Sequence, residues 1–143
     1  MDIEKDKKPA EVLKNHSRNF LEMAFCTDYH KRIDNPDGYG QSTSECGDTV
    51  EMFLTVQGEK IVSVSLGIDG CINTNACSNA VALLAEGTKV GQVWGITPLK
   101  VIDYLETLPP HEIHCAELAV SALHKALVKF TEFKRAPWKK LYA

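Results

Sequence analysis

Two stretches of alternating apolar and polar residues, separated by only two residues, constrain this fold most. In residues 49–57 and 60–69 the apolar positions are Val50, Met52, Leu54 and Val56, then Val62, Val64, Leu66 and Ile68. A period of two places successive side chains on opposite faces of a strand. Gly58 and Glu59 between the two stretches fit a two-residue hairpin turn, in which Gly58 supplies a positive φ. The sequence therefore predicts an antiparallel hairpin with one apolar face.

Helical periodicity marks the segments on both sides of this hairpin. Residues 9–31 predict a first helix, because apolar residues recur there at steps of three and four. These residues are Leu13, Phe20, Leu21, Ala24 and Phe25. Turn-forming residues dominate 34–40 and end the helix, and the polar segment 41–45 suits an edge strand or a loop.

Helices are predicted again after the hairpin. The first follows Gly70 and ends at Gly87, with one apolar face formed by Ala76, Ala80, Leu83 and Leu84. A short helix over 90–94 follows, then one with Thr97 as its N-cap and Pro98 at its first position. A long helix over 111–133 is the last. We expect an α+β fold, in which helices pack on one face of a small antiparallel sheet of about three strands.

The length and the net charge of the chain limit the classes of protein to which it can belong. The chain has 143 residues, and we expect a single domain over 1–143 with flexible tails at 1–10 and 135–143. A net charge of −3 gives no broad basic surface for nucleic acid. No apolar run approaches the roughly 18 residues of a membrane span. Residues 1–8 lack the apolar core of a secretory signal, so we expect a cytoplasmic protein with no nucleic-acid or membrane partner.

The five cysteines are the chemically informative residues. An odd number in a cytoplasmic chain argues against a disulfide framework. Cys46 lies in a polar turn before a strand, Cys71 where a strand gives way to a helix, and Cys115 near the start of the last helix. Helix N-termini favour thiolates and lower the pKa of a cysteine. Because such junctions gather at one edge of an α+β layer, we expect these three to converge, and we expect Cys26 and Cys77 to be packing residues.

Three convergent cysteines predict a metal site or thiol chemistry. Thiolates bind iron and zinc, and three of them leave one position for Asp48 or His114. One alternative is a structural zinc protein closed by the three cysteines and Asp48. Another is a cysteine-dependent enzyme or sulfur-transfer protein in which His114 or His111 activates a thiolate. Adjacent residues such as His114 and Cys115 project about 100° apart on a helix, which makes them a poor nucleophile–base pair.

Four short motifs occur in order along the chain. They are Asn35-Pro36, Cys46-Gly47-Asp48, Asp69-Gly70-Cys71 and Leu108-Pro109-Pro110-His111-Glu112-Ile113-His114-Cys115. Together they resemble the iron–sulfur cluster scaffold family, the IscU proteins and the N-terminal domain of NifU, over about residues 15–131. The segment between Cys71 and Cys115 has no long insertion, which favours this branch over its zinc-requiring relatives. The fold implied by the resemblance is the α+β fold expected from the periodicity.

The resemblance implies a carrier rather than an enzyme. Such a scaffold receives sulfur as a persulfide from a cysteine desulfurase and iron from an iron donor, and passes a labile cluster to recipient apoproteins. The implied ligands are Cys46, Cys71 and Cys115, with Asp48 and His114 as further metal ligands. The implied cofactor is an iron–sulfur cluster, with [2Fe-2S] expected first and [4Fe-4S] as the alternative. Zinc is expected in the same thiolate site after purification in air.

One motif departs from the family pattern. In many IscU proteins the segment before the third cysteine reads Leu-Pro-Pro-Val-Lys and is bound by a dedicated Hsp70-type chaperone. Here residues 108–112 place Glu112 at the lysine position. Because Hsp70 clefts favour basic flanks, we expect no dedicated Hsp70-type partner. Glu112 also suits the N-terminus of the last helix, where a carboxylate is favourable.

Overall fold

A three-stranded antiparallel sheet forms the base of the fold. The computed structural model describes residues 16–142 and orders the strands β1 (Gly38–Thr43), β2 (Thr49–Gln57) and β3 (Lys60–Asp69). Both predicted strands of the hairpin are confirmed. At the turn between them, Gly58 has a φ of 55° and Glu59 a φ of 68°, as a two-residue turn with positive φ at both positions requires.

Strand β1 begins earlier than the sequence suggested. The expected turn segment 34–40 already contains its first residues, Gly38 to Gly40. The glycines are needed for close packing against the last helix rather than for a turn. A Cβ on Gly40 would lie 2.3 Å from the carbonyl oxygen of Ala122 and 2.5 Å from the backbone nitrogen of Ala126.

One apolar assignment in β3 is wrong. Val62 was expected to face the core, but it is 39% exposed, whereas Ile61 is fully buried. The cause is an irregularity in the pairing of β2 with β3 between Thr55 and Val56, which shifts the register at the start of β3. A bulge of this kind moves side chains between faces. Val64 and Leu66, beyond it, are buried as predicted.

Five α-helices occur in the described part of the chain. They are α1 (Arg18–Ala24), α2 (Ile72–Ala85), α3 (Val90–Val93), α4 (Pro98–Leu105) and α5 (Ile113–Arg135). A 3₁₀ turn, Pro110–Glu112, precedes α5, and a second 3₁₀ segment, Pro137–Tyr142, follows it. Thr97 caps α4 through its side chain, with Pro98 in the first turn, as predicted. Helices α2 and α5 pack against the sheet, which confirms the α+β expectation.

Helix α1 is shorter than the predicted span 9–31, of which residues 9–15 lie outside the described residues. Ser17 caps its start by accepting a hydrogen bond from the backbone N–H of Phe20 at 3.1 Å. Beyond its end, the side-chain amide of Asn79 donates to the carbonyl oxygens of Met23 at 2.7 Å and Cys26 at 3.1 Å. These two hydrogen bonds bind the end of α1 to α2. Cys26 is only half-buried there.

Helix α2 packs through its small residues. Ala76 and Ala80 are fully buried as predicted, but Leu83 is 38% exposed, which corrects the expected apolar face. The helix contacts α1, α4, α5 and β3, so most of its circumference is enclosed. Close approach on several sides favours alanine, serine and cysteine over leucine.

The structure describes most of the second predicted tail and none of the first. Residues 1–10 lie outside the described residues. In the segment 135–143, expected to be flexible, residues 137–142 form a 3₁₀ helix, and Lys140 Nζ lies 2.9 Å from Asp37 Oδ1. Burial raises the pKa of Asp37, but hydrogen bonds from the Val56 N–H and from Lys140 bring it below its usual value. None of the described helices combines the length and apolar character that crossing a bilayer requires.

Candidate metal site at the starts of helices α2 and α5

Three of the predicted ligands come together where two helices begin. Cys71 is the N-cap residue of α2 and is buried, and Cys115 is fully buried in the first turn of α5. Asp48 lies in the turn before β2. A carboxylate oxygen of Asp48 and the sulfurs of Cys71 and Cys115 all lie within 4.8 Å of one another. Two sulfurs and one oxygen at this spacing are suited to a thiolate-binding metal such as iron or zinc.

Thr74 connects these three groups, and the sequence analysis missed it. Its hydroxyl donates a hydrogen bond to Asp48 Oδ2 at 2.7 Å. The hydroxyl oxygen of Thr74 also lies 3.5 Å from the sulfur of Cys115 and 3.7 Å from that of Cys71. The only sequence signal was its position three residues after Cys71, which places both on one helical turn.

Gly70 makes room for this arrangement. A Cβ at this position would lie 3.0 Å from the Thr74 side chain and 3.1 Å from the carboxyl carbon of Asp48. Any other residue here would require the side chain of Thr74 or Asp48 to shift by a few tenths of an ångström. Glycine before Cys71 therefore lets these two side chains approach each other closely.

Cys46 lies outside the buried group. It is exposed, on a turn in which Gly47 has a φ of 90°. The backbone N–H of Gly47 donates to the carbonyl oxygen of Ser44 at 3.0 Å, and that of Ser44 donates to the carbonyl oxygen of Asp48 at 2.8 Å. Cys46 is thus solvent-exposed and two residues before Asp48, and in residues 16–142 it is not grouped with the closely spaced donor atoms, so the expected convergence is found for Cys71 and Cys115 but not for Cys46.

His114 and Glu112 also lie close to the sulfur of Cys115. The Nε2 atom of His114 lies 3.6 Å from the Cys115 sulfur, although the two residues are adjacent on the helix. Glu112, which sequence reasoning placed only at the helix start, is buried, and its Oε2 lies 3.4 Å from the same sulfur. Glu112, His114 and Cys115 form a second group of donor atoms within 4.8 Å of one another. Nothing in the residue types alone distinguished Glu112 from a surface carboxylate.

The Cys115 thiol is not activated in the way its helix position suggested. The pKa of Cys115 is raised, because the Cys71 thiol hydrogen-bonds to it and because it is buried, while the Thr74 hydroxyl opposes this rise. Burial, and then the charges of Cys71 and Glu112, also raise the pKa of Cys77. For both thiols, neighbouring groups and burial favour the protonated form. A metal cation favours the thiolate, so its binding at Cys115 releases a proton.

Cys77 is fully buried and belongs to the hydrophobic core. The charge of the nearby Cys71 contributes to the raised pKa of Cys77. Cys77 is nevertheless absent from both groups of closely spaced donor atoms found in residues 16–142. Its burial agrees with a packing role.

Fold and site together define a class: a small α+β protein with thiol, carboxylate and imidazole donors gathered at two helix starts. Comparison with known families is consistent with this description. Residues 30–136 match the family model described as the NifU-like N terminal domain. The match covers more than half of the chain, and the chain belongs to this family.

Individual relatives fit the same family. The chain is 29% identical over 100 residues to "Iron-sulfur cluster assembly scaffold protein IscU 1" of Archaeoglobus fulgidus, covering 69% of this chain and 65% of the relative. It is 34% identical over 97 residues to "Bifunctional protein NifU/MnmA" of Rubrobacter xylanophilus, covering 66% of this chain and 20% of that protein. The matches thus span less than two thirds of these relatives' own lengths.

Solved structures show the same fold. A NifU-like N-terminal protein from Brucella abortus gives a TM-score of 0.68 at 15% identity, covering 85% of this chain and 97% of that one. A putative iron–sulfur cluster assembly scaffold protein for the SUF system from Fervidobacterium islandicum gives 0.66 at 19% identity, covering 80% and 97%. At these identities the likeness concerns the fold alone.

Proposed function

We propose that this protein is an iron–sulfur cluster assembly scaffold, a carrier rather than an enzyme. One observation carries the proposal: Asp48, Cys71 and Cys115 place three donor atoms within 4.8 Å of one another in a chain of the NifU-like family. The cluster is the cargo of such a protein. We assign the thiolate ligands to Cys46, Cys71 and Cys115, with Asp48 or His114 completing the site.

Exposure gives the three cysteines different tasks. Cys46 is the exposed thiol of the three, so we assign it the first contact with the sulfur donor. Its thiolate attacks the terminal sulfur of a donor cysteine persulfide, a new sulfur–sulfur bond forms, and the donor leaves as a thiolate. The buried Cys71 and Cys115 then hold iron away from water. The donor is a cysteine desulfurase in this proposal.

A mixed ligand set suits a cluster that is built and then released. A carboxylate is a hard ligand and binds cluster iron less tightly than a thiolate does. We propose [2Fe-2S] as the cargo, with [4Fe-4S] as the alternative, and zinc as the ion that takes the same thiolates in air. Iron comes from an iron donor and the finished cluster passes to apoproteins. A cytoplasmic location would keep the thiols reduced.

Anaerobic reconstitution with iron, sulfide and a reductant tests this proposal. The expected result is a coloured protein with sulfur-to-iron charge-transfer absorption. Cys46→Ser, Cys71→Ser and Cys115→Ser should each lose most of that absorption, and Cys26→Ser is the matched control that should keep it. A cluster that survives both Cys71→Ser and Cys115→Ser would contradict the assignment.

The same preparation distinguishes a scaffold from a structural zinc protein. A protein that folds around zinc unfolds when a chelator removes the metal. We expect the chelated protein to keep its circular dichroism and its melting temperature within a few degrees. The reason is that the core is apolar and continuous, including fully buried Phe20, Met52, Leu123 and Leu127. Loss of folding on chelation would favour structural zinc.

A further inference from the structure

Glu112 is a buried carboxylate with an unusual set of neighbours. Its side chain is 11% exposed, and its Oε2 atom lies 3.5 Å from His114 Nε2. Its Oε1 atom lies 3.7 Å from Nε2 of the exposed His111. Within residues 16–142, these two imidazoles are its only ion-pair partners, and each is charged only when protonated. No described lysine or arginine lies within ion-pair distance of it.

A cation bound next to the Glu112 carboxylate would stabilise it in this buried position. Transfer of an ionised carboxylate out of water is costly unless the charge is paired or bound to a metal. The neighbouring Cys115 sulfur lies 3.4 Å from Oε2, so one cation placed between them can contact both donor atoms. Both groups are therefore best satisfied by one shared cation.

The two donor groups of the site meet at a single atom. Asp48, Cys71 and Cys115 form one group and Glu112, His114 and Cys115 form the other, so the Cys115 sulfur belongs to both. The second group offers one oxygen, one nitrogen and one sulfur. Carboxylate and imidazole are the ligand types of non-haem iron(II) sites, whereas thiolates dominate in iron–sulfur clusters.

We propose that Glu112, His114 and Cys115 bind iron(II) in the absence of sulfide, at a position beside the thiolate group, and that Glu112 is a direct ligand. This inference rests on the proposed scaffold function and adds an iron-loading position to it. Iron bound there lies next to Cys71 and Asp48 when sulfur arrives. Binding at Cys115 exchanges the thiol proton for the metal.

Anaerobic titration with iron(II) alone, without sulfide, tests the proposal. Wild-type protein should bind one iron(II) per chain. Glu112→Gln, which preserves size, should weaken this binding by about tenfold or more, and iron X-ray absorption should show one fewer oxygen or nitrogen ligand. Glu117→Gln, an exposed carboxylate on the next turn of α5, is the matched control and should bind as wild type does. His114→Ala alters an exposed residue and should weaken binding even if Glu112→Gln folds poorly.

The outcomes separate this inference from the proposed function. Failure of wild-type protein to bind iron(II) without sulfide would overturn the iron-loading position. Equal iron(II) affinity in the wild type and a folded Glu112→Gln would overturn it too, even if both proteins build a cluster once sulfide is added. Failure of the wild type to build any cluster with iron and sulfide would instead overturn the scaffold function.

Discussion

The hydroxyl of Thr74 holds the metal-free site together, and its removal has a predictable effect. Thr74→Val keeps the shape of the side chain and deletes the donor to Asp48 Oδ2, at 2.7 Å. Thr74 is fully buried, whereas Asp48 is half-buried. The carboxylate therefore loses a protein donor but keeps access to water.

The size of the free-energy change follows from the burial of Thr74 and the partial exposure of Asp48. A hydrogen bond to a charged group contributes about 1.5–3 kcal/mol, and water replaces part of it at a half-buried carboxylate. We therefore expect a coupling free energy between Thr74 and Asp48 of about 1.5 kcal/mol, near the lower limit. The methyl group that replaces the hydroxyl in a dry position offsets part of the loss in the single variant, so the net destabilisation of Thr74→Val is about 1 kcal/mol.

A double-mutant cycle isolates this coupling. The free energy of unfolding is measured by urea denaturation for the wild type, Thr74→Val, Asp48→Ala and the double variant, at neutral pH with a chelator present. An unchanged dependence on urea concentration across the four proteins shows that the unfolding reaction is the same. Additive effects, within about 0.3–0.5 kcal/mol, would refute the role assigned to Thr74.

Three further predictions concern cluster release, packing and pH. Asp48→Ala should slow transfer of the cluster to an apo-ferredoxin, because the hard ligand is lost; faster transfer would contradict the role assigned to Asp48. Gly40→Ala should destabilise the fold by about 1–3 kcal/mol or more in urea denaturation, because its Cβ would overlap the backbone of α5. Gly91→Ala, whose Cβ meets no atom within 4 Å, is the control and should be neutral or stabilising by about 0.5–1 kcal/mol. Because the pKa of Asp37 is lowered in the folded protein, its stabilising effect is present above the unfolded pKa of about 3.9 and disappears as the pH falls through the folded value. The stability difference between the wild type and Asp37→Asn should therefore shrink on acidification, and a constant difference would contradict the ion pair.

Features of the fold that depend on local pattern were predictable from the sequence. The hairpin of β2 and β3 follows from a period of two and a two-residue turn, and the start of α4 follows from its cap. The start of β1 at Gly38 was not predictable, because the glycines there serve contact with a helix more than 80 residues away. Burial of Ile61 in place of Val62 depends on a bulge, which the alternating pattern does not encode.

The residues of the site also divide into those that local sequence patterns predicted and those that depend on tertiary packing. Asp48, Cys71 and Cys115 were predictable, because each residue type has metal-binding chemistry and each lies at the junction of two elements. Thr74 and Glu112 were not, since a threonine and a glutamate near helix starts are ordinary capping residues. Packing of α5 against α2 brings Thr74 to the Cys115 sulfur, and Glu112 reaches the same sulfur from the 3₁₀ turn that precedes α5. The hydrogen bond from the Cys71 thiol and burial both depend on tertiary packing, and they raise the pKa of Cys115 where its helix position alone predicts a lower value.

Cluster transfer to a second protein is the property that distinguishes a scaffold from other cluster-binding proteins, because a scaffold must release what it builds. The protein is reconstituted anaerobically, freed of unbound iron and sulfide, and mixed with an apo-ferredoxin in the presence of a chelator that captures free iron. Circular dichroism in the visible range follows both proteins. The ferredoxin should gain its cluster at the rate at which this protein loses one, with little iron reaching the chelator. A cluster that stays on this protein, or iron that appears only in the chelator, would contradict the scaffold function.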